Sequence, residues 1–304
     1  MNRLRRPGRA RWQWRQRGAP YLFLLPLVSV LGVFFLWPLW RSLELSFYTT
    51  AGPRIGRYVG IGNYTFLILH DRLFWLATAN TIAYTIAFLI VQIPASLGLA
   101  MLMNHPAVRF KSVLRFCFFS TYLVGQVFVA VVFFALLAPR RGLVNRVLGE
   151  LVPAAANLDW LTRPSLALPS TLIAGLWLSI GYGMVYFLAA LQSVDGDLYE
   201  AALLDGAGPW AAFWNVTLPG IRPVLIFLMV VGTIGGFQLF ELPYVLLQGP
   251  GPDYRALTIV MYLYSSAFER GDLGYSAAIG WLLVLILGAV SLAQLKLTRA
   301  LAED

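Results

Sequence analysis

The stretch DGDLYEAALLDGAGPWAAFWNVTLPGIR, residues 195–222, is a polar insertion between two long apolar segments of a 304-residue chain. Residues 195–221 contain four acidic side chains and no basic one. Loops on the cytoplasmic side of a membrane usually carry an excess of Lys and Arg, so an acid-only loop there requires a reason. Docking into a basic groove of a partner protein would provide one.

Helix signals inside the insertion (residues 195–222) predict a helix, a turn and a second helix. Asp197 precedes Glu200 by three residues, which is the capping-box spacing, so the first helix is expected to begin there. Gly206 is typical of a helix stop. A second short helix is expected over residues 210 to about 216, ending before Leu218-Pro219.

The remainder of the chain has the composition of a membrane protein. Apolar residues make up 59% of it and charged residues 12%, and the mean hydropathy is +0.71. A spanning helix needs about 20 apolar residues, and backbone groups in lipid must pair within their own element. We therefore expect an all-α polytopic membrane protein with a basic arm at residues 1–19 and a transmembrane domain at residues 20–304. Its six spans are expected at about residues 21–46, 74–103, 113–138, 166–192, 223–247 and 274–297.

The distribution of basic residues predicts the orientation. Seven Arg within the first 17 residues favour a cytoplasmic N-terminus; four spans return the insertion, and six return the C-terminus, to the same side. The basic residues of the other loops do not clearly distinguish the two sides of the membrane, so the predicted orientation rests on the N-terminal arm. A signal peptide is the alternative for the first span, but its apolar run exceeds the usual core of about 7–15 residues. The expected location is the cell membrane of a bacterium or archaeon.

Several motifs of enzymes are missing from the sequence. No Gly-x-x-x-x-Gly-Lys-Ser/Thr loop is present, and neither Lys111 nor Lys296 follows a glycine. The two histidines, His70 and His105, fall in different loops, which disfavours a metal site or a Ser-His pair. We expect a protein that is not an enzyme and binds neither cofactor nor metal.

The insertion resembles the coupling motif of ABC importer permeases, which has Glu-Ala-Ala, three residues, a Gly, and Leu-Pro further on. In that family the motif inserts a coupling helix into an ATPase subunit. The resemblance implies that ATP and Mg are used by two copies of an ABC ATPase subunit and not by this chain. The ATPase-docking residues that it implies are Glu200, Ala201, Ala202, Asp205, Gly206, Leu218 and Pro219.

The rest of the chain resembles the sugar-transport permeases of the maltose and glycerol-3-phosphate type. The matching segments are Leu25-Pro26, residues 59–64 (VGIGNY), residues 80–85 (NTIAYT), residues 142–145 (GLVN) and residues 237–244 (FQLFELPY). The first-partner, maltose F-like type is the most similar. The resemblance implies the type I ABC importer permease architecture, a second homologous permease subunit, an extracytoplasmic solute-binding protein or lipoprotein, and a sugar or sugar derivative as cargo. Glu241 stands where Asp is commoner, and a Gly-Pro-Gly-Pro run replaces the usual Gly-Gly-Pro.

Candidate substrate contacts follow from the chemistry of sugars. A carboxylate at membrane depth costs about 2.5–3.5 kcal/mol on insertion scales, so Glu241 is expected to face a wet cavity or a partner. Sugars are bound by hydrogen bonds to hydroxyl groups and by aromatic rings against their C–H faces. The candidates are Phe237, Gln238, Glu241 and Tyr244 on the fifth span, and Asn80, Tyr84 and Gln92 on the second.

Two other functions remain open at the level of sequence. An importer of the same family for a polyamine or a phosphate ester would share every motif above. A secondary transporter or channel acting alone is the alternative from another class, although no internal repeat and only one clearly intramembrane charge are found.

Overall fold

The computed structural model describes residues 21–51, 54–139, 142–152 and 157–303. The expected basic arm at residues 1–19 and the outer-loop pair Arg140 and Arg141 lie outside the described residues. The described elements, in order, are α1 Tyr21–Leu45, β1 Tyr48–Ala51, β2 Arg54–Tyr58, α2 Gly62–Leu69, α3 Arg72–Asn104, α4 Lys111–Leu123, α5 Gln126–Leu136, α6 Leu143–Leu151, α7 Pro164–Ser193, α8 Gly196–Leu204, α9 Pro209–Phe237, α10 Glu241–Leu246, α11 Ile259–Tyr264 and α12 Leu273–Glu303.

Helices dominate this part of the chain, which confirms the expected all-α class. Five of them are long and apolar enough to cross a membrane, namely α1, α3, α7, α9 and α12. The pair α4 and α5 adds a sixth span if it is counted as one. The described residues divide into two compact units, one within residues 21–64 and 266–281 and the other within residues 65–265 and 282–303.

The third apolar stretch differs from the straight helix expected over residues 113–138. Its two halves, α4 and α5, meet at an angle of 99°. Val124 and Gly125 are both extended there, with ψ angles of 128° and 143°. Neither residue is charged, so a hydropathy profile does not reveal the break. In the sequence, only Gly125 pointed to it.

The fifth span also differs from the expected range of residues 223–247. The helix α9 ends at Phe237, and a separate short helix, α10, begins at Glu241. Pro243 lies in the first turn of α10, where its missing N–H group costs nothing because the first four donors of a helix have no intrahelical partner. The Leu239 carbonyl in the break accepts a hydrogen bond from Thr258 Oγ1 at 2.7 Å.

Two further corrections concern the insertion. The cap of α8 is Asp195, whose carboxylate accepts from Asp197 N at 3.1 Å, so the helix begins two residues earlier than the Asp197 capping box predicted. The second helix does not stop before Leu218-Pro219 but continues as α9 into the membrane span. A π-helical turn, Phe213–Thr217, ends two residues before Pro219. Proline has no backbone N–H group to donate, and the wider π-helical turn lies where that donor is missing.

The first unit contains a β-hairpin held by the side chain of Asn63. The strands β1 and β2 pair antiparallel. The Asn63 amide donates to the carbonyls of Ser46 and Tyr48 at 2.8 and 3.0 Å, and the Tyr64 hydroxyl donates to Ser46 Oγ at 2.7 Å. The Asn-Tyr pair that carried part of the family resemblance therefore has a structural role in this unit.

The second unit is built on the packing of α3 against α7 and α9. One buried cluster surrounds Tyr84 and includes Val129 and Leu242, and a second surrounds Phe187 and includes Ile221. Asp71 caps α3 through Oδ1, and its Oδ2 accepts from the Tyr262 hydroxyl at 2.5 Å. These contacts fix the ends of the helices that surround the cavity described next.

Candidate functional site

A cavity of about 220 Å³ lies within the second unit, bounded by α3, the α4–α5 bend, α7, α9 and α10. Its polar side chains are Tyr84, Gln92, Tyr122, Gln126, Ser179 and Tyr182, and its apolar and glycine lining is Phe88, Gly175, Leu178, Leu228, Val231, Gly232, Gly235, Gly236, Leu239 and Leu242. A mostly apolar wall with a few converging polar groups is typical of small-molecule sites.

Each end of this lining carries one aromatic ring and one amide group. Tyr84 and Gln92 are buried on α3, whereas Tyr122 and Gln126 are exposed on either side of the break between α4 and α5. Tyr122 stacks on Tyr182 with ring centroids 4.5 Å apart. Phenol and amide groups both donate and accept hydrogen bonds, as hydroxyl-rich ligands require. The cavity therefore runs from an exposed rim to a buried wall and suits a polar, uncharged ligand.

Glycines bring the helices around the cavity close together. Gly232 and Gly236 let α9 pack closely on α3, because a Cβ atom at 232 would lie 2.7 Å from Leu89 and one at 236 would collide with Thr85. Across the cavity, a Cβ atom at Gly175 would collide with the Tyr84 hydroxyl. The helices α3 and α7 thus approach as closely as the tyrosine allows, and a larger residue at 175 must displace it.

The predicted substrate-path residues divide into two groups. Tyr84 and Gln92 line the cavity, but the other five do not appear in its lining. Asn80 is buried and donates to the carbonyls of Tyr254 and Leu257 at 2.8 and 3.1 Å, which ties the loop after α10 to α3. Its described contacts are therefore structural.

The fifth-span candidates surround the break between α9 and α10. Phe237 is buried in the wall of the unit, while Gln238 and Glu241 are exposed. Tyr244 packs against Phe240 and Tyr264, with centroids 5.3 and 5.5 Å away. Contact of these side chains with substrate stays a prediction.

Sequence reasoning missed four polar lining residues, Tyr122, Gln126, Ser179 and Tyr182. A signal for the last two was present, because Gly175, Leu178, Ser179 and Tyr182 follow the i, i+3, i+4, i+7 pattern of one helix face. For Tyr122 and Gln126 only the intervening Gly125 pointed to a break.

The insertion folds back on itself at Gly206. This residue has φ of +76°, and the N–H groups of residues 205–207 bond to the carbonyls that end α8. A left-handed backbone is strained for residues with a Cβ, so glycine suits the turn. After this turn the chain enters α9, whose first residues form the second limb of the insertion.

The surface of the insertion is both acidic and apolar. Asp195, Asp197, Glu200 and Asp205 are exposed. Leu204 is 89% exposed and Trp210 is 72% exposed, and Leu203 and Trp214 are exposed beside them. Among the predicted docking residues Glu200, Ala201, Asp205, Gly206 and Pro219 are exposed, and Ala202 and Leu218 are half-buried.

Comparisons with known proteins place the chain among transport permeases. The arabinooligosaccharides transport system permease protein AraP of Bacillus subtilis (strain 168) is 35% identical over 94% of this chain and 90% of that protein. The lactose transport system permease protein LacF of Rhizobium radiobacter is 33% identical over 92% of this chain and 93% of that protein. Both relatives match nearly the whole chain, so the similarity is not confined to one motif.

A solved structure shows the same fold. A bacterial ABC transporter involved in the import of the acidic polysaccharide alginate has a chain that superposes with a TM-score of 0.83 at 22% identity. The match covers 96% of this chain and 99% of that chain. The fold is therefore that of type I ABC importer permeases, as expected from the sequence.

The family model reaches across the second unit. Residues 92–302, which include the insertion and most of the cavity lining, match the model described as "Binding-protein-dependent transport system inner membrane component". The predicted resemblance to carbohydrate ABC permeases is confirmed. This chain, a multi-pass membrane protein, belongs to the family of binding-protein-dependent transport system inner membrane components.

Proposed function

We propose that the chain is one permease subunit of an ATP-driven importer and forms half of a pore for a sugar or sugar derivative. A second, homologous permease subunit completes the pore, two ABC ATPase subunits supply the energy, and an external solute-binding protein delivers the cargo. The relatives support this proposal through the arabinooligosaccharide and lactose transport named in their descriptions. A transporter of the same fold was crystallised with an alginate pentasaccharide-bound periplasmic protein.

The observation that carries the choice of substrate is the chemistry of the cavity. Its polar lining consists of phenol, amide and hydroxyl groups, and none of the described residues that line it is charged. A polyamine or a phosphate ester is recognised best by charged partners, whereas a neutral sugar needs donors, acceptors and flat aromatic surfaces. The lining therefore favours a carbohydrate over those alternatives.

The insertion is the proposed ATPase-docking element. Its exposed leucines and tryptophans provide apolar anchors, and its four acids complement a basic groove. Buried aromatic anchors surrounded by charges are typical of the centre and rim of protein interfaces. Docking of the ATPase subunits requires that the insertion and both chain termini lie in the cytoplasm.

The transport cycle follows from the continuity of α9. This helix begins in the insertion at Pro209 and contributes Leu228, Gly232 and Gly236 to the cavity. ATP-driven closure of the partner subunits would displace the insertion, and α9 would carry that displacement to the cavity wall. The binding site would then open alternately to the two sides of the membrane.

Reconstitution of the complete complex tests the proposal. The chain is purified with its partner permease and ATPase subunits, inserted into vesicles, and supplied with the loaded binding protein. Uptake of labelled oligosaccharide that requires ATP supports the proposal, and ATP-dependent uptake of a polyamine or glycerol phosphate instead would contradict the substrate class. Transport by the isolated chain, driven by an ion gradient, would contradict the ABC mechanism.

A further inference from the structure

We propose that Tyr199 and Thr217 are positioning residues that couple the docking helix to the cavity. Their two hydroxyl groups join α8 to α9, so that α8 cannot move without moving α9. This inference rests on the proposed function, because it assigns a mechanical role to a contact within the proposed docking element.

The contact links the two limbs of the insertion at their base. Tyr199 Oη lies 3.0 Å from Thr217 Oγ1, and either hydroxyl group can donate. Thr217 is 6% exposed, and Tyr199 is half-buried. A hydrogen bond that is screened from water holds its geometry better than an exposed one, since water competes less for its partners.

Thr217 differs from the other buried threonines of the second unit in where its hydroxyl group points. Each of the others with a bond inside its own helix donates to the carbonyl four residues earlier, as is usual for threonine; these are Thr78, Thr81, Thr85, Thr171 and Thr233. Thr217 Oγ1 donates to the carbonyl five residues earlier, that of Ala212, at the long distance of 3.5 Å, and lies closer, at 3.0 Å, to Tyr199 Oη.

The π-helical turn explains this difference. Phe213–Thr217 forms five residues of π-helix within α9, and Thr217 is its last residue. The wider turn moves the usual acceptor out of line, which leaves the hydroxyl group available to another element. Such turns occur frequently at functional positions of helices.

Helix α8 has two other attachments to α9, one at each end, and the Tyr199–Thr217 bond lies between them. At its C-terminal end α8 joins α9 through the turn at Gly206, and glycine permits changes of backbone angle there. At its N-terminal end it follows Val194, which packs tightly on Gly220 near the middle of α9, because a Cβ atom at 220 would lie 2.7 Å from Val194 Cγ2. The Tyr199–Thr217 bond fixes α8 between these two points.

The far end of the same helix reaches the cavity. Thr217 and Gly236 are 19 residues apart in α9, which corresponds to about 28 Å at 1.5 Å per residue. Gly236 and Gly232 belong to the cavity lining. A displacement of α8 that is passed to Thr217 therefore reaches the substrate wall through one helix without an intervening loop.

Conservative substitutions test the bond without disturbing the surface of the insertion. Tyr199→Phe and Thr217→Val each remove one hydroxyl group, and Thr217→Ser keeps it. Ser193→Ala is the matched control, because the Ser193 hydroxyl group donates within its own helix, to Ala190 O at 2.7 Å. The measurement is the number of sugar molecules imported per ATP hydrolysed by the reconstituted complex.

We expect each of Tyr199→Phe and Thr217→Val to lower this ratio by about fivefold, the factor that corresponds to one lost neutral hydrogen bond. The double variant should be no worse than either single variant, because both remove the same contact. Thr217→Ser and Ser193→Ala should retain the wild-type ratio.

Three outcomes would overturn the inference: unchanged ratios in both single variants, additive losses in the double variant, or loss of the ATPase subunits from the Tyr199→Phe complex. The last would mean that the bond holds the docking surface and does not transmit motion. The proposed function fails separately, if the wild-type complex shows no ATP-dependent uptake.

Discussion

The cavity wall and the insertion differ in whether their side chains are bonded within the chain or exposed to solvent. At the cavity, two of the polar lining groups are bonded within the chain: Ser179 donates to Gly175 O at 2.8 Å, and Gln92 Nε2 donates to Ser96 Oγ at 3.3 Å. On the insertion, four carboxylates and five large apolar side chains, among them Leu198, are exposed together. The difference indicates that the cavity is formed largely by this chain's own packing, whereas the insertion exposes the kind of surface that the proposed docking requires.

Overfilling the cavity wall should have the largest effect on transport. Gly175→Leu forces a side chain against the Tyr84 hydroxyl, and overpacking of this kind costs about 1–3 kcal/mol. We expect at least a tenfold fall in the rate of uptake, with ATPase subunits still bound to the purified complex. Loss of the ATPase subunits in this variant would contradict the separation between cavity and insertion.

Straining the turn of the insertion should affect the docking of the ATPase subunits and not the cavity. Gly206→Val imposes a left-handed backbone on a β-branched residue, at a cost of roughly 1–2 kcal/mol. We expect about a tenfold fall in co-purified ATPase, while the isolated permease keeps its thermal stability in detergent. Gly196→Ala is the control, because a Cβ atom at that glycine meets nothing within 4 Å.

Two glutamines distinguish the cavity from the break between α9 and α10. Gln92 lines the cavity and Gln238 does not, although both were expected on the substrate path. Gln92→Leu should raise the sugar concentration for half-maximal uptake by about fivefold, one hydrogen bond, and Gln238→Leu should change it by less than twofold. The reverse ranking would move the binding site to the break.

Asn80 should have the smallest effect on uptake. Asn80→Ala leaves two carbonyl groups, those of Tyr254 and Leu257, without this donor, which costs about 1–3 kcal/mol of stability. We expect a lower melting temperature of the purified protein and an unchanged preference among sugars. A changed preference would show that the amide group contacts substrate.

The sequence predicted the all-α class and the presence of five to six apolar spans, because these depend on hydropathy and on helix periodicity. It did not predict the bend at Val124 and Gly125 or the end of α9 at Phe237. Both breaks lie inside apolar runs, where tertiary contacts such as that of Thr258 with Leu239 decide the backbone. The same limit explains why Tyr122 and Gln126 were missed while Tyr84 and Gln92 were found.

The unbroken course of α9 from Pro209 to Phe237 also restricts how the gene can change. One residue added between Thr217 and Leu228 would rotate everything beyond it by about 100° and advance it by about 1.5 Å. Gly232 and Gly236 would then leave the cavity wall, and larger neighbours would take their places. Substitutions can accumulate along this helix, but a change in its length would rotate the cavity wall relative to the proposed docking surface.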